Sequence, residues 1–434
     1  DTDPAAGLPA VLSWSLWGLT DEQRTAFALV GIAPGPDIDL SAAASLAGLP
    51  DARARRALRV LEEHSLLDRR AHGRFAMHDL VRAYAATTAR DLPEPVRRAA
   101  LERVADFYAH TACAADRLLH PHRPPIRLDP PAPGARPLPL PDNAAALAWM
   151  DTHHRHLLAA QHTAAAQRRH HTAWNLAWAM TTFHQLRGHH RDELAAWRTA
   201  ADAAAHLPDP THQTLTHRLL GHAHAELGQH DQATTHLRRA LALAEQHHDT
   251  AQQAHTHHAL TQAWARRGED RQALEHARHA LRLYRALDQP AREADCLNAV
   301  GWCLARLGDH DTAREHCQAA LTLHRLHHNP DGEAATLDSL GHIEHRTGHH
   351  ERAVRHYEQA LALYRALDSA PDTAEALDSL GHPCAALGDH DRARALWREA
   401  LELYGRMGRD DDAERVRRHL AEVEQEDLAV EHRV

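Results

Sequence analysis

The sequence predicts a mainly α-helical chain in which stacked helical hairpins follow a smaller N-terminal region of mixed elements. Two observations carry that expectation. Glycines and alanines recur every forty residues through the C-terminal half, and self-similarity at such a period marks stacked repeats. Apolar residues make up 43% of the chain but aromatics only 4%. Alanine and leucine therefore supply most of the apolar surface, which favours helix over sheet. At 434 residues the chain is too long for one compact core and implies two or more units.

From the N-terminus, Asp21 to Gly31 reads as a helix. "DLSAAASLAGL" (Asp39 to Leu49) reads as a short helix capped by Asp39 or Ser41, whose oxygens can bond the free amides of a first turn. "DARARRALRVLEEHSLL" (Asp51 to Leu67) reads as a longer helix, apolar at Ala54, Leu58 and Leu61. "LLDRRAHGRFAM" alternates around "AHG" as a small hairpin does. "HDLVRAYAATTA" opens another helix, with Asp79 in the first turn, where a carboxylate suits the helix dipole. Three helices and a hairpin give winged-helix order, expected over residues 11–90, with a helical bridge over 91–120.

"PHRPPIRLDPPAPGARPLPLPDN" (Pro121 to Asn143) holds nine prolines, which forbid helix and favour a semi-rigid extended connector. A helical lead-in is expected over 144–173 and repeats over 174–426. In the repeats, Gly188, Gly228, Gly268, Gly308, Gly348 and Gly388 form one row. Ala233, Ala273, Ala313, Ala353 and Ala393 form a second, and Ala240, Ala280, Ala320, Ala360 and Ala400 a third. Gly221, Gly301, Gly341 and Gly381 form a fourth, broken by Thr261. "LGDHD" (Leu307 to Asp311) reads as a helix stop, a tight turn and a new start. Gly308 suits the left-handed conformation there, and Asp231, Asp311 and Asp391 are the expected caps of the following helices. The alanine rows let paired helices approach, since larger side chains would overpack the contact. Leu241, Leu281, Leu321, Leu361 and Leu401 are expected to fill the core between hairpins.

The stretch "LNAVGWCLARLGDHDTAREHCQAALTLHR" (Leu297 to Arg325) resembles the tetratricopeptide repeat in a forty-residue form. The resemblance covers about residues 174–420, with five clear repeats and a degenerate one at Gly188, where Glu193 replaces the small residue. It implies a right-handed superhelix with a concave face, lined by the first helix of each hairpin. Carried onto this chain, the groove residues are Arg218, His222, His258, Asn298, Trp302, Asp338, His342, Asp378 and His382. The implied occupant is a protein, peptide or small effector.

"FAMHDLVRAYA" (Phe75 to Ala85) and "ALAWMDTHHRHLLAA" (Ala146 to Ala160) resemble the NB-ARC class of signalling ATPases, most closely actinobacterial regulators of the AfsR type. In that class the histidine of the MHD triplet contacts the β-phosphate of bound ADP and holds the inactive form. The resemblance implies that His78 senses nucleotide, with Met77 and Asp79 positioning it. The nucleotide-binding domain of that class would be a partner within the intact parent, which would hold ADP or ATP. Without it, negligible ADP affinity is expected of this chain. The class reads DNA through a separate domain.

Other chemistry is constrained by composition. All 49 basic residues are arginine. A Walker A loop needs its lysine, so neither that loop nor a lysine Schiff base can form, and no enzyme activity is expected. Net charge is -10 with histidine neutral, which argues against a nucleic-acid coat. A rival reading, a DNA-binding winged helix, rests on Arg53, Arg55, Arg56, Arg59, Arg69, Arg70 and Arg74. A further alternative is an interaction scaffold without a nucleotide role. The 43 histidines place imidazoles at helical spacing in His153/His156/His170/His171 and His255/His257/His258, but no CxxC or HExxH accompanies them. No metal is expected beyond adventitious binding. The five cysteines read as free thiols of a reducing cytoplasm, and no apolar run approaches the roughly 20 residues of a membrane span.

Overall fold

The computed structural model describes residues 14–121, 123 and 126–431, with side chains through 425. Residues 11–13 of the expected first domain, and His122, Pro124 and Pro125 of the connector, lie outside the described residues. The chain forms two compact units. One runs to Phe183 and includes Ala196–Leu207; the other comprises His184–Ala195 and the residues from Pro208 onward. Among the described residues no helix is long and apolar enough to cross a membrane.

After a helical stretch at 14–17, the first unit continues with α1 (Asp21–Gly31), β1 (Asp37–Ile38), α2 (Leu40–Ala47) and α3 (Asp51–Glu63). There follow β2 (Asp68–Arg69), a 3-10 turn at Ala71–Gly73, β3 (Phe75–Ala76) and α4 (Asp79–Arg90). Thr20 and Gln23 close α1 with a capping box, and Asp39 caps α2 through Ala42 N, as short polar residues do. The strands form a small antiparallel sheet in the order β1-β3-β2, pairing Asp37 and Asp68 each with Ala76. Strand β1 was not expected, since two residues are too few for a period of two to register. A Cβ on Gly31 would lie 2.5 Å from that of Ala85, so α1 and α4 meet at a contact only glycine permits. Next come α5 (Glu94–Leu119) and α6 (Asn143–Ala166). The described residues of the proline-rich segment between them are non-helical and strapped down. Ala132 N donates to Asp106 Oδ2 at 2.9 Å, Arg136 N to Ser45 Oγ at 3.0 Å and Leu138 N to Thr111 Oγ1 at 3.1 Å.

Helices α7 (His170–Arg187) and α8 (His190–Ala204) precede the regular hairpins. These are α9 (Thr211–Glu226) with α10 (His230–Gln246), α11 (Thr250–Arg266) with α12 (Asp270–Ala286), and α13 (Pro290–Arg306) with α14 (His310–Leu326). Two more follow, α15 (Pro330–Arg346) with α16 (His350–Ala366) and α17 (Ala370–Ala386) with α18 (His390–Met407), before α19 (Asp410–Glu431). All ten alanines of the two alanine rows are fully buried. The broken glycine row has a steric cause. A Cβ at Gly221, Gly301, Gly341 or Gly381 would lie within 3 Å of Leu237, Cys317, Tyr357 or Trp397 respectively. The residue in that register opposite Thr261 is Ala277, the smallest of the five. Where the facing side chain shrinks, a threonine is accommodated.

One expectation is corrected. Gly308 is left-handed at φ 93°, but Asp309 is already the cap of α14, accepting from Thr312 N at 3.4 Å. Asp389 caps α18 through Arg392 N in the same way. At α10 the cap position is Gln229, which makes no side-chain cap bond. Asp231, Asp311 and Asp391 lie in the first turn, because the turn is shorter than the sequence suggested. Asp311 instead pairs with Arg314 at 2.9 Å.

Candidate functional site

Within the second unit the hairpins curve until its first and last parts meet. Arg187 donates to Asp368 O at 3.1 Å and Oδ2 at 3.0 Å, and Gly188 abuts Met407 and Pro371. The expected groove residues lie on the first helices of successive hairpins. Arg218 and His222 are on α9, His258 on α11, Asn298 and Trp302 on α13, Asp338 and His342 on α15, and Asp378 and His382 on α17. All are half-buried except Asp378, which is buried. Polar side chains this enclosed, on a face that the unit curves around, can bind a ligand without first ordering themselves.

The face has two electrostatic halves. In the first, burial lowers His258 to about 4, helped by Arg292, Arg218 and His222, because a desolvated imidazole disfavours its charged form. Its Nδ1 lies 3.7 Å from Cys296 Sγ. His222 stands between two acids, with Nδ1 3.8 Å from Glu193 and Nε2 3.6 Å from Glu226. Glu226 is desolvated, yet Arg266 at 2.7 Å, with His222 and His190, keeps its carboxyl below the usual range. Glu193, fully buried, thus belongs to a charged cluster, which accounts for its place in a row of alanines.

In the second half carboxylates face one another. Burial raises Asp338 to about 7, with Glu375 and Asp372 adding to the shift. Asp372 rises to about 7 through burial, then Asp331 and Glu375. Between the halves, Asn298 accepts from Cys317 Sγ at 3.6 Å, and the Trp302 and His342 rings lie 4.8 Å apart. Burial also lowers His342 to about 4. Asp378 is covered by α19: its Oδ2 accepts from Arg415 at 3.0 Å and its Oδ1 lies 3.3 Å from His419 Nδ1. Sequence reasoning missed Arg292, Asp372 and Glu375. Their signal was available, since Arg292 and Asp372 share one forty-residue register about two turns before the Asn298/Asp378 row, and Glu375 lies about one turn before it.

In the first unit, Met77 is buried while His78 and Asp79 are exposed. His78 is the N-cap of α4, and its Nδ1 accepts from Leu80 N at 3.5 Å. The arginines of the DNA-binding alternative are partly engaged. Arg53 pairs with Glu22, and Arg69 with Glu62 at 2.8 Å. Arg74 is buried, bonded to Asp37, and its guanidinium lies 3.0 Å from His153 Nε2 and 2.9 Å from His156 Nε2. His153 Nε2 also meets Asp39 at 2.8 Å. Those two histidines are therefore held in a structural network. The other metal-spaced set diverges, with His255 bonded to Tyr284, His257 to His276 and His258 beside Cys296.

The tetratricopeptide-repeat family matches residues 293–366 and, separately, 219–247. "Regulatory protein AfsR" of Streptomyces griseus is 36% identical over 229 residues, covering 52% of this chain and 23% of that protein. The protein of the same name from Streptomyces coelicolor is 34% identical over 236 residues, with the same coverage. The match thus spans under a quarter of these relatives. Among solved structures, a signal transduction ATPase with a tetratricopeptide-repeat sensor from Pyrococcus horikoshii covers 99% of this chain and 66% of its own, at 13% identity and TM-score 0.45. A Rap protein complexed with competence and sporulation factor covers 88% and 94%, at 12% identity and TM-score 0.47.

Proposed function

We propose that this chain is the regulatory and sensor portion of a larger signalling ATPase or transcriptional regulator, and that its repeat face binds a protein, peptide or small effector. The observation that carries the reading is the divided face. Arg218, Arg292 and the neutral imidazole of His258 stand at one end, and at the other Asp338 and Asp372 are buried beside further carboxylates, with Glu375 paired to Arg409 at 2.8 Å. A ligand that is anionic at one end and cationic at the other would satisfy both and relieve the carboxylate repulsion. The identity to AfsR regulators over half the chain supports the regulatory setting.

The order of α1 to β3 supports a winged-helix reading of the first unit. In the intact parent, exposed His78 at the start of α4 is the residue we assign to ADP sensing. Ligand binding would then shift the parent between two states, which requires different contacts in each. The experiment is selection of displayed random peptides on the whole chain, followed by titration of the Asp338→Asn/Asp372→Asn double variant. Peptides with oppositely charged ends should be enriched and should bind the variant roughly 10-fold more weakly, about 1.4 kcal/mol. No enrichment, together with unchanged output of the parent regulator carrying the same substitutions, would remove the sensor reading.

A further inference from the structure

Asp378 and His382 lie one turn apart on α17, and His419 approaches them from α19. One donor atom from each of the three lies within 4.8 Å of the others, and among the described residues this is the set of three that converges so. We propose that Asp378, His382 and His419 form a divalent transition-metal site, zinc by preference, that pins α19 to the last repeat hairpin.

The donor geometry supports it. Bonds of about 2.0–2.1 Å in a tetrahedral zinc site place ligand atoms roughly 3.3 Å apart. Asp378 Oδ1 and His419 Nδ1 are 3.3 Å apart. That separation is long for a charge-assisted hydrogen bond, which is usually about 2.7–2.9 Å. Spacing of four along a helix brings the His382 imidazole to the same face as Asp378. The His382 and His419 rings lie 4.6 Å apart at 72°. Two imidazoles and a carboxylate are donors that suit zinc, with nickel and cobalt as close seconds.

The surroundings are those of an orienting outer shell. Arg415 holds the other carboxylate oxygen, with Nε at 3.2 Å and Nη2 at 3.0 Å, and leaves Oδ1 for the metal. Trp397 donates to the Asp378 carbonyl at 3.0 Å, and its ring lies 5.5 Å from His382 and 5.4 Å from His419. Such outer partners fix the ligands and exclude solvent. Three protein ligands leave a fourth position for water, and a bound ion would link two helices that otherwise share only side-chain contacts.

The test must separate this site from adventitious binding by other histidines. Zinc is titrated into the whole chain against a weak competing chelator, and cobalt is used separately for its visible absorption. Wild type is compared with His419→Ala, with His382→Gln, and with His162→Ala/His247→Ala at exposed positions. The expected result is one tight equivalent and a cobalt band in wild type and in the exposed-site control. Both ligand variants should lose the band and bind the tight equivalent more than ~10-fold more weakly, since even an outer-shell loss costs about 10–100-fold. Zinc should also slow amide exchange in α19 of wild type alone. Because His382 lies on a different helix from His419, unfolding of α19 in one variant does not decide the result. A tight equivalent that survives in both variants, or only weak multi-site binding in wild type, overturns the proposal.

Discussion

The two units are held by different physics. The first buries a charged network: Arg74, 8% exposed, bonded to Asp37 and set against His153 and His156. Burial, then the adjacent guanidinium, lowers His156 to about 4. Beyond the charged cluster at Glu193 and Glu226, the regular hairpins rely on steric pairing, with small residues of one helix set against larger ones of the next. The network is costly to break at any member, because a buried charge left without its partner has no water to turn to. The array spreads its stability over repeating contacts, each open to a local exchange of volume.

The sharpest test of that contrast is Arg74→Met. It leaves Asp37 and Asp39 without their buried guanidinium and should cost about 3–5 kcal/mol, read by denaturant unfolding of the first unit. A loss below ~1 kcal/mol would mean that the histidines alone satisfy the carboxylates. In the array, Gly301→Thr should cost about 1–3 kcal/mol by overpacking against Cys317. Adding Cys317→Ala copies the Thr261–Ala277 pairing and should recover most of the loss. If the two substitutions simply add, the pairing is not what holds this interface. The smallest effect is at the turn. Asp309→Ala should cost about 0.5–2 kcal/mol as a lost cap, whereas Asp311→Ala should stay within about 0.5 kcal/mol as a lost surface pair. Amide exchange in the first turn of α14 distinguishes them, and equal effects would put the cap back where the sequence suggested.

The comparison also explains what could be read in advance. The glycine and alanine rows and the placing of Arg218 to His382 on the first helices of the hairpins were legible because every hairpin meets the same neighbours and repeats the same constraint. The break at Thr261 follows from Ala277, its counterpart across the helix contact. Asp309 was passed over because the length of a turn is set by backbone closure. The network of Arg74 with His153 and His156 is invisible to spacing, because its members are distant in sequence: Arg74 and His153 are 79 residues apart. With 43 histidines in the chain, spacing could not show that His419 comes to face Asp378 and His382.

The sequence by itself determined the helical class, the forty-residue hairpin and the want of a lysine-based phosphate loop. Each follows from composition or from short-range periodicity, which one stretch of chain carries alone. Only the tertiary structure decided the buried Arg74 network, the meeting of Arg187 with Asp368, the divided charge of the repeat face and the convergence on Asp378. These depend on which distant groups share a desolvated space, and electrostatic energy in such a space is set by distance and burial, neither of which is written in residue order.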